Sequence, residues 1–241
     1  MSAVPSDKPV VIFGIGQLAD LAHYYFTTDT ARTVAGFTVD AAYVEADQHL
    51  RLPVAPFEEL TRRFPPSEHD MFLPISFKQM NGIRRDRFHA VKDAGYNCAT
   101  YISSRATTFD NLVIGENCFV FEDNTIQPFV TIGDNCILWS GNHIGHHTRI
   151  GDHVFITSHV VVSGACTIGD MCFLGVNATI RDEMVLGPKT LVGMGATILA
   201  PTEEGEVWLA PRSVKAKAKS DRFDRISPKA PAAAAPETSG D

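Results

Sequence analysis

The sequence predicts an α/β N-terminal domain with a small Rossmann-like parallel sheet, followed by an all-β left-handed parallel β-helix. Residues 101–202 divide into seventeen consecutive hexapeptides without an insertion, and the second position is Ile, Leu or Val in sixteen of them. Thr108 is the exception. A period of six is neither helical nor a simple strand alternation. It is typical of a solenoid, in which each repeat buries its apolar residue against the next repeat.

The α/β prediction rests on alternating strand and helix patterns before residue 100. In order, these are a strand VVIFG at 10–14, a helix GQLADLAHYYF, a strand VAGFTVD ending at Asp40, a helix over Pro56–Arg63, a strand DMFLPIS at 70–76, and a helix from Asn81 to Asp93 that Gly95 ends. Proline suits the first turn of a helix, where its missing N–H costs little, and glycine commonly follows a helix end. Such alternation favours a parallel sheet.

The hexapeptides also predict the interior and the corners of the β-helix. Three hexapeptides make one triangular coil, so residues 18 apart stack at about 4.8 Å, the usual strand spacing. Four glycines that follow the aliphatic residue are expected to turn corners: Gly115, Gly133, Gly151 and Gly169. The position four after the aliphatic residue is mostly small, and four cysteines occupy it: Cys118, Cys136, Cys166 and Cys172. We therefore expect these cysteines to be interior packing residues without a redox role.

Four segments are expected along the chain. Residues 1–100 form the N-terminal domain and 101–202 the β-helix, while 203–219 leave the repeat as a C-terminal extension. The Ala- and Pro-rich tail over 220–241 has a composition that cannot bury a core, so we expect it to be disordered.

Composition excludes several classes of protein. The net charge of −7 gives no basic footprint for nucleic acid or an anionic membrane. No apolar run approaches the roughly 20 residues that span a bilayer, and MSAVPSDKP lacks the layout of a signal peptide. Five cysteines without a CxxC pair indicate neither a disulfide framework nor a zinc knuckle. We expect a cytoplasmic protein that binds neither nucleic acid nor a membrane.

Histidine is the most informative residue type. Five histidines fall within 17 positions in the middle of the solenoid: His143, His146, His147, His153 and His159. A polar corner residue facing solvent is the ordinary interpretation of any one of them, and we assign it to His153 and His159. His146 differs because it follows the aliphatic Ile144 by two places, at a corner, in GNHIGHHTRIGDH.

The hexapeptide array with a histidine in its middle resembles the hexapeptide acyltransferase superfamily. With the small α/β domain before it, the chain looks like the bacterial nucleotide-sugar acetyltransferases, which modify amino sugars for surface polysaccharides such as the lipopolysaccharide O-antigen. The similarity covers residues 9–215. It implies that His146 is the general base. The family follows this histidine with a glutamate that orients the ring, whereas this chain has His147; a backbone carbonyl, water or a carboxylate such as Asp152 could replace it.

The resemblance implies acyl transfer from acyl-CoA, with acetyl-CoA as co-substrate and no permanently bound cofactor. The acceptor must lose a proton as it attacks the thioester, and a neutral imidazole with a pKa near ~6.5 suits that task. A backbone N–H at Gly164, one coil beyond His146, would stabilise the oxyanion. The family also implies a homotrimer with acyl-CoA between two subunits. The matching residues are Gly164, Val176, Asn177, Gly193, Gly195 and Ala196, with Pro211 and Arg212 of APRSVK near the adenine.

The N-terminal GIGQLA turn is a candidate nucleotide site. Gly14, Gly16 and Ala19 fit a GxGxx[GA] turn that opens a helix, where backbone N–H groups can approach a phosphate. Asp40 ends the second strand, where a ribose-binding acid lies in dinucleotide sites. A tight turn without a ligand is the alternative. The resemblance implies that this region holds the nucleotide part of the sugar substrate.

Transfer to the amine of a nucleotide-linked amino sugar is the leading functional hypothesis, and three others stay open. A γ-type carbonic anhydrase uses the same solenoid and binds zinc through three histidines, but His143 and His147 would not share a face in a β-helix, and we expect no metal site. A sugar O-acetyltransferase would use the same base. A non-catalytic scaffold would need no base.

Overall fold

The computed structural model describes residues 6–215 and 220, and the chain forms two compact units, 1–210 and 211–241. The first unit begins with an α/β layer. Its elements are β1 (Val10–Phe13), α1 (Gln17–Asp29), β2 (Val34–Val39), a 3₁₀ turn (Ala41–Tyr43), β3 (Gln48–His49), β4 (Leu52–Pro56), a 3₁₀ turn (Phe57–Glu59), α2 (Leu60–Arg63), β5 (Asp70–Phe72) and α3 (Gly82–Asp93). The predicted strands and helices of this part are confirmed, with shorter bounds for β5 and α2.

The sheet of the α/β layer has the order β3-β4-β2-β1-β5. All pairs are parallel except the β3–β4 hairpin at the edge. The chain winds outward from β1 through β2 to β4, and then crosses to the other side of β1 to form β5. The carboxyl ends of β1 and β5 therefore flank a topological switch point, which is where open α/β sheets bind ligands.

The β-helix has three parallel sheets, which we call faces I, II and III. Face I contains β6 (Tyr101–Ile102), β8 (Phe119–Val120), β11 (Ile137–Leu138), β14 (Phe155–Ile156), β17 (Phe173–Leu174), β20 (Leu191–Val192) and β22 (Val207–Trp208). Face II contains β9 (Thr125–Ile126), β12 (His143–Ile144), β15 (Val161–Val162), β18 (Thr179–Ile180) and β21 (Thr197–Ile198). Face III contains β7 (Val113–Ile114), β10 (Thr131–Ile132), β13 (Arg149–Ile150), β16 (Thr167–Ile168) and β19 (Val185–Leu186). The chain visits the faces in the order I, II, III, so the corners form edges I/II, II/III and III/I.

The interior of the β-helix confirms the hexapeptide analysis. The aliphatic second positions from Ile114 to Ile198 are buried in one core cluster, together with the four interior cysteines. Strand partners are 18 residues apart, as in Ile144 with Val162. Thr108 is exposed, and its hexapeptide forms only an isolated bridge through Thr107. The single break in the sequence pattern is therefore the place where a coil is least regular.

Left-handed residues at the fifth hexapeptide position turn the corners. Fourteen consecutive hexapeptides, from Asn117 to Gly195, have φ between 53° and 78° at this position. Histidine is among the residue types enriched in this backbone region, which explains three members of the histidine cluster: His147, His153 and His159.

The predicted role of the glycines after the aliphatic residue is wrong, because none of these four has a positive φ. A Cβ atom at Gly133 would lie 2.2 Å from Oδ1 of Asp152 and 2.8 Å from the carbonyl carbon of Gly151. Glycine is needed at this position because the next coil approaches too closely for a side chain.

The α/β layer covers face I of the β-helix. The first hexapeptide positions on this face are aromatic or aliphatic, and four are at most 3% exposed: Tyr101, Phe119, Ile137 and Phe155. They share a core cluster with residues of β1, α1 and β5. The ring centroids of Phe72 and Phe119 lie 5.1 Å apart in an edge-to-face arrangement, which is favourable for aromatic pairs. The sheet layer and the β-helix are consequently packed as one body.

A buried cation fixes α3 to edge III/I. Arg84 is 0% exposed and donates hydrogen bonds to the carbonyl oxygens of Asn135, His153 and Val154 and to Oδ1 of Asn81. Burial lowers the pKa of Arg84 to about 10. Within residues 6–215 no carboxylate pairs with this guanidinium, and its Nε has no hydrogen-bond partner. Backbone carbonyls of the solenoid corner therefore solvate the charge.

His153 is a correction to the expectation of a solvent-facing corner. It is only 7% exposed, and its Nδ1 lies 2.8 Å from Nδ2 of Asn135. Its ring packs 5.5 Å from that of His89 on α3. Burial, followed by the charges of Arg84 and His89, lowers the pKa of His153 to about 4. The α/β layer covers this corner, which the local pattern could not reveal.

The β-helix continues past Thr202, where the repeat pattern ends. Thr202 bridges to Leu186, and β22 pairs with β20 on face I. Most of the predicted disordered tail, 220–241, lies outside the described residues, as do residues 216–219. Of the helices in the described ranges, none is long and apolar enough to cross a bilayer.

We expect Arg84→Met to lower the free energy of unfolding by about 3 kcal/mol, because buried carbonyl oxygens lose their donors. Urea denaturation at pH 7.5 measures this change. Arg62→Met, which removes an exposed arginine from α2, is the control and should change the free energy by less than about 0.5 kcal/mol. A loss below about 1 kcal/mol for Arg84→Met would mean that water replaces the guanidinium.

We also expect the protein to lose stability between pH 6.5 and 4 through His153. The folded-state pKa of about 4 lies below the ordinary value of 6.5, so the unfolded chain binds more protons in this window. The contribution of His153 to the free energy of unfolding is complete above pH 6.5, and about 2 kcal/mol of it is lost by pH 5.0. His153→Asn keeps an acceptor for Asn135 and does not titrate.

The measurement is the free energy of unfolding of both proteins at pH 7.5 and at pH 5.0. The drop between the two pH values should be smaller in the variant by that amount. Equal drops would contradict the assignment to His153.

Candidate functional site

The candidate site lies on edge II/III, the edge opposite face I. Three successive coils contribute its residues, and each triplet follows a strand of face II: 127–129 after β9, 145–147 after β12, and 163–165 after β15. His146 and His147 are both exposed to solvent here. This edge is the one farthest from the α/β layer, because that layer packs on face I.

His146 lies with its ring over Gly164 of the next coil. A Cβ atom at Gly164 would be 2.7 Å from Cε1 and 2.8 Å from Nε2 of His146, so only glycine leaves room for the ring. The backbone of His146 is held on both sides: its N–H donates to Oε1 of Gln127 at 2.9 Å, and its carbonyl accepts from the N–H of Ala165 at 2.8 Å. The predicted stacking of His146 on Gly164 is present in the structure.

Gly164 offers a backbone donor at this corner. Its carbonyl accepts the N–H of Glu183 at 2.9 Å. Its own N–H makes no hydrogen bond with any described residue. A donor of this kind next to an imidazole can stabilise negative charge that develops on a reacting oxygen.

His147 is the hydrogen-bond partner of His146. The two Nδ1 atoms are 3.1 Å apart, and the rings meet at 84°. His147 has the left-handed φ of 59° typical of its corner position, and its ring stacks on Phe129 at a centroid distance of 4.7 Å. The two adjacent rings therefore lie in nearly perpendicular planes, and the ring of His147 is supported by that of Phe129.

Asp152, one of the residues considered as a partner of His146, lies on edge III/I. Its Oδ1 accepts the N–H of Asp134 at 2.7 Å, and its own N–H donates to Asp170. The other clustered histidines are also dispersed: His143 lies on face II, His153 on edge III/I and His159 on edge I/II. Proximity along the chain thus brings only His146 and His147 together.

The residues expected to bind acyl-CoA fall on two different edges of one chain. Gly164 lies on edge II/III, whereas Val176, Asn177, Gly193 and Gly195 lie on edge I/II. Ala196 is 4% exposed and belongs to the interior. Pro211 and Arg212 are exposed residues of the second compact unit. Face II separates the two edges within one chain.

A second candidate site lies at the switch point of the α/β sheet. A cavity of about 520 Å³ is lined by the turn after β1 and the segment after β5, including Gly14, Gly16, Ser76 and Lys78. Gly14 has φ +107°, which residues with a side chain rarely adopt, and its N–H donates to the carbonyl oxygen of Thr38 in β2. Gly16 has an ordinary φ of −104° and caps α1, with open space where a side chain would be.

Asp40 does not line this cavity. Its Oδ2 accepts a hydrogen bond from Arg87 at 2.7 Å, and the Arg87 guanidinium packs over the rings of Phe13 and Phe57. Its Oδ1 is buried and has no partner among the described residues. The structure thus places Gly14 and Gly16 in the lining of one cavity and Asp40 in an ion pair outside that lining.

Sequence reasoning missed Phe129, Gln127 and Lys78. The first two could have been found by stepping back 18 residues from His147 and Gly145, because that offset defines stacking in this fold. Lys78 carried no pattern signal. In the described part of the chain, no group of three or more histidine, cysteine, aspartate or glutamate residues could hold a metal ion.

Comparisons with known proteins agree with the repeat and the fold. The family described as bacterial transferase hexapeptide (six repeats) matches residues 111–146, and the hexapeptide repeat of succinyl-transferase matches 166–200. Comparison with curated protein sequences gives no match. These matches confirm the hexapeptide repeats over two stretches of the solenoid, and the solved structures show that the whole fold is shared.

Three solved structures illustrate the similarity. A histidine-to-asparagine mutant of perosamine N-acetyltransferase from Caulobacter crescentus, in complex with CoA and GDP-perosamine, is 22% identical, with a TM-score of 0.76 over 89% of this chain and 100% of that one. The acetyltransferase domain of PglB from Neisseria gonorrhoeae is 19% identical, with a TM-score of 0.74 over 84% and 97%. WeeI from Acinetobacter baumannii is 18% identical, with a TM-score of 0.69 over 83% and 95%. At these identities the likeness establishes the fold.

Proposed function

We propose that this chain, which combines hexapeptide repeats with the fold of the hexapeptide-repeat acyltransferases, transfers an acetyl group from acetyl-CoA to the amine of a nucleotide-linked amino sugar. The observation that carries the proposal is the exposed imidazole of His146 lying over Gly164, whose N–H has no acceptor among the described residues. The similar perosamine enzyme was solved with CoA and GDP-perosamine, and the similar PglB domain with acetyl-CoA. The test is a screen of nucleotide amino sugars with acetyl-CoA that reads the released thiol.

In the proposed reaction, His146 acts as general base. The amine nitrogen attacks the thioester carbonyl carbon, and Nε2 of His146 takes the proton that the nitrogen loses. The carbonyl oxygen becomes an oxyanion, to which the N–H of Gly164 donates. The C–S bond then breaks, its electron pair goes to sulfur, and the thiolate receives the proton from His146. The products are the N-acetyl sugar nucleotide and CoA.

The cavity at the switch point is the proposed site for the nucleotide part of the acceptor. The first turn of α1 has backbone N–H groups that no capping side chain uses, and Lys78 adds a cation to the lining of the cavity. Free N–H groups at the start of a 13-residue helix attract phosphate oxygens. Gly16 has no side chain to obstruct this approach.

The positions of the two candidate sites support a homotrimer. The cavity belongs to the layer on face I, while His146 lies on edge II/III on the other side of the solenoid. One acceptor molecule cannot occupy both within one chain, so we propose that the α/β layer of one copy serves His146 of another. Acyl-CoA would then lie between edge II/III of one subunit and edge I/II of the next, which reunites Gly164 with the residues Val176, Asn177, Gly193 and Gly195.

We further propose a cytoplasmic location. All five cysteines are buried free thiols, as is usual in a reducing compartment. Burial raises the pKa of the Cys172 thiol to about 12, so that it stays protonated and unreactive at neutral pH.

We expect His146→Ala to lower kcat by about 10²–10⁴, because a general base is lost. The KM for acetyl-CoA should change little, since the interaction is made in the transition state. Thiol release at saturating acetyl-CoA measures both constants. His89→Ala, which removes an exposed imidazole from α3, is the control and should retain kcat. A loss below tenfold in His146→Ala would contradict the base assignment.

We expect activity to be restored when two inactive variants are assembled together. His146→Ala removes the base, and Gly16→Asp places a carboxylate against the phosphate site while still capping α1. Random mixed trimers should recover up to about a quarter of wild-type activity, because a site needs one intact partner of each kind.

The mixing experiment separates sites formed in trans from sites within one chain. No recovery on mixing would place both functional parts in the same chain. A monomer in light scattering at micromolar concentration would likewise contradict the trimer.

A further inference from the structure

We propose that His147 is a positioning residue that sets the tautomer of His146. In this arrangement, Nδ1–H of His146 donates to the lone pair on Nδ1 of His147, which leaves Nε2 of His146 unprotonated and ready to accept a proton. The inference rests on the proposed function insofar as it concerns catalysis. The hydrogen bond itself can be tested without turnover.

The geometry limits how His146 can act. Its Nδ1 is occupied, because it lies 3.1 Å from Nδ1 of His147. Its Nε2 has no hydrogen-bond partner among the described residues and is the ring nitrogen nearer to Gly164, 2.8 Å from the position that a Cβ atom would take there, against 3.2 Å for Nδ1. A neutral imidazole carries one proton, so Nε2 can be the basic nitrogen only when Nδ1 holds that proton. The partner at Nδ1 must then be an acceptor, and a neutral imidazole with its proton on Nε2 is one.

The ring of His147 is itself held in place. Its backbone is left-handed, with φ 59°, and its ring stands at 84° to that of His146. Its N–H donates to the carbonyl of Pro128 at 3.3 Å, and its ring stacks on Phe129 with an interplanar angle of 29°. Because this support comes from the preceding coil, the acceptor on Nδ1 is fixed relative to His146.

No carboxylate in the described ranges makes a hydrogen bond or an ion pair with either ring. The hydrogen bonds of His146 and His147 are those to Gln127, Pro128, Ala165 and each other. A partner histidine therefore supplies direction without adding negative charge, which differs from a carboxylate that would also stabilise the protonated ring. The role of His147 is to select one tautomer rather than to neutralise charge.

Two substitutions separate the acceptor from the ring. His147→Asn places Oδ1 the same number of bonds from Cα as Nδ1 of histidine, and asparagine tolerates the left-handed backbone. It therefore keeps an acceptor and loses the aromatic ring. His147→Phe keeps a ring that can stack on Phe129 and has no acceptor. Comparison of the two assigns any loss to one property.

The experiment records the tautomer of His146 and the kinetics of each protein. Ring ¹⁵N shifts of the free enzyme, assigned with His146→Ala, report which nitrogen carries the proton. We expect protonated Nδ1 in the wild type and in His147→Asn, and a shift toward protonated Nε2 in His147→Phe. For His147→Phe, kcat should fall by about tenfold or more, with an unchanged KM for acetyl-CoA. His147→Asn should recover most of that loss.

The outcomes are decisive in each direction. Protonated Nε2 on His146 of the wild type would overturn the proposal, as would wild-type kcat in His147→Phe. If His147→Asn were as impaired as His147→Phe, the proposal would also fail, because the variant that keeps the acceptor would gain nothing from it. Impairment of His147→Asn alone would assign the effect to stacking on Phe129. Failure of the proposed acetyl transfer would appear as absence of turnover in the wild type and would leave the tautomer measurement intact.

Discussion

The stacking of coils every 18 residues is the constraint on which the rest of this structure depends. Aliphatic second positions bury a continuous core, and left-handed fifth positions close each corner. Once this period is set, residues 18 positions apart become neighbours, and no further specific contact is needed to bring them together. Phe129 lies under His147, and Gly164 lies beside His146, because each pair is separated by one coil. The geometry of the candidate site is thus a by-product of the same repetition that stabilises the fold.

Coverage of face I determines how the molecule can work. The aromatic first positions of this face are buried by the α/β layer, and Arg84 and Asn81 fasten α3 to the neighbouring edge. The layer therefore lies against face I and not against edge II/III of its own chain, which is why the proposed function draws the two candidate sites from different copies. A rigid attachment also suits the proposed arrangement, in which the layer would have to hold an acceptor in a constant position.

The histidine pair shows how a corner position can be used for chemistry. A carboxylate beside His146 would orient the ring and stabilise its charged form, whereas the partner here is a ring nitrogen of His147, whose ring stacks on Phe129. The same left-handed corner conformation explains why histidine occurs at positions 153 and 159. These two residues lie on the other two edges, away from His146. The clustering of histidines in the sequence therefore reflects backbone preference as much as function.

The sequence by itself determined the architecture, because hexapeptide periodicity is a local property that reports directly which residues face the interior. The same arithmetic determined that His146 meets Gly164. Only the tertiary structure decided which face is covered, although the aromatic or aliphatic first positions of every third hexapeptide carried that signal. Packing within the layer and against the solenoid produces the burial of His153, the contacts of Arg84 and the Asp40–Arg87 pair. The placement of Asp152 on a different edge from His146 follows from the order in which the chain visits the faces. Such contacts join segments far apart in the chain, and no local pattern encodes them.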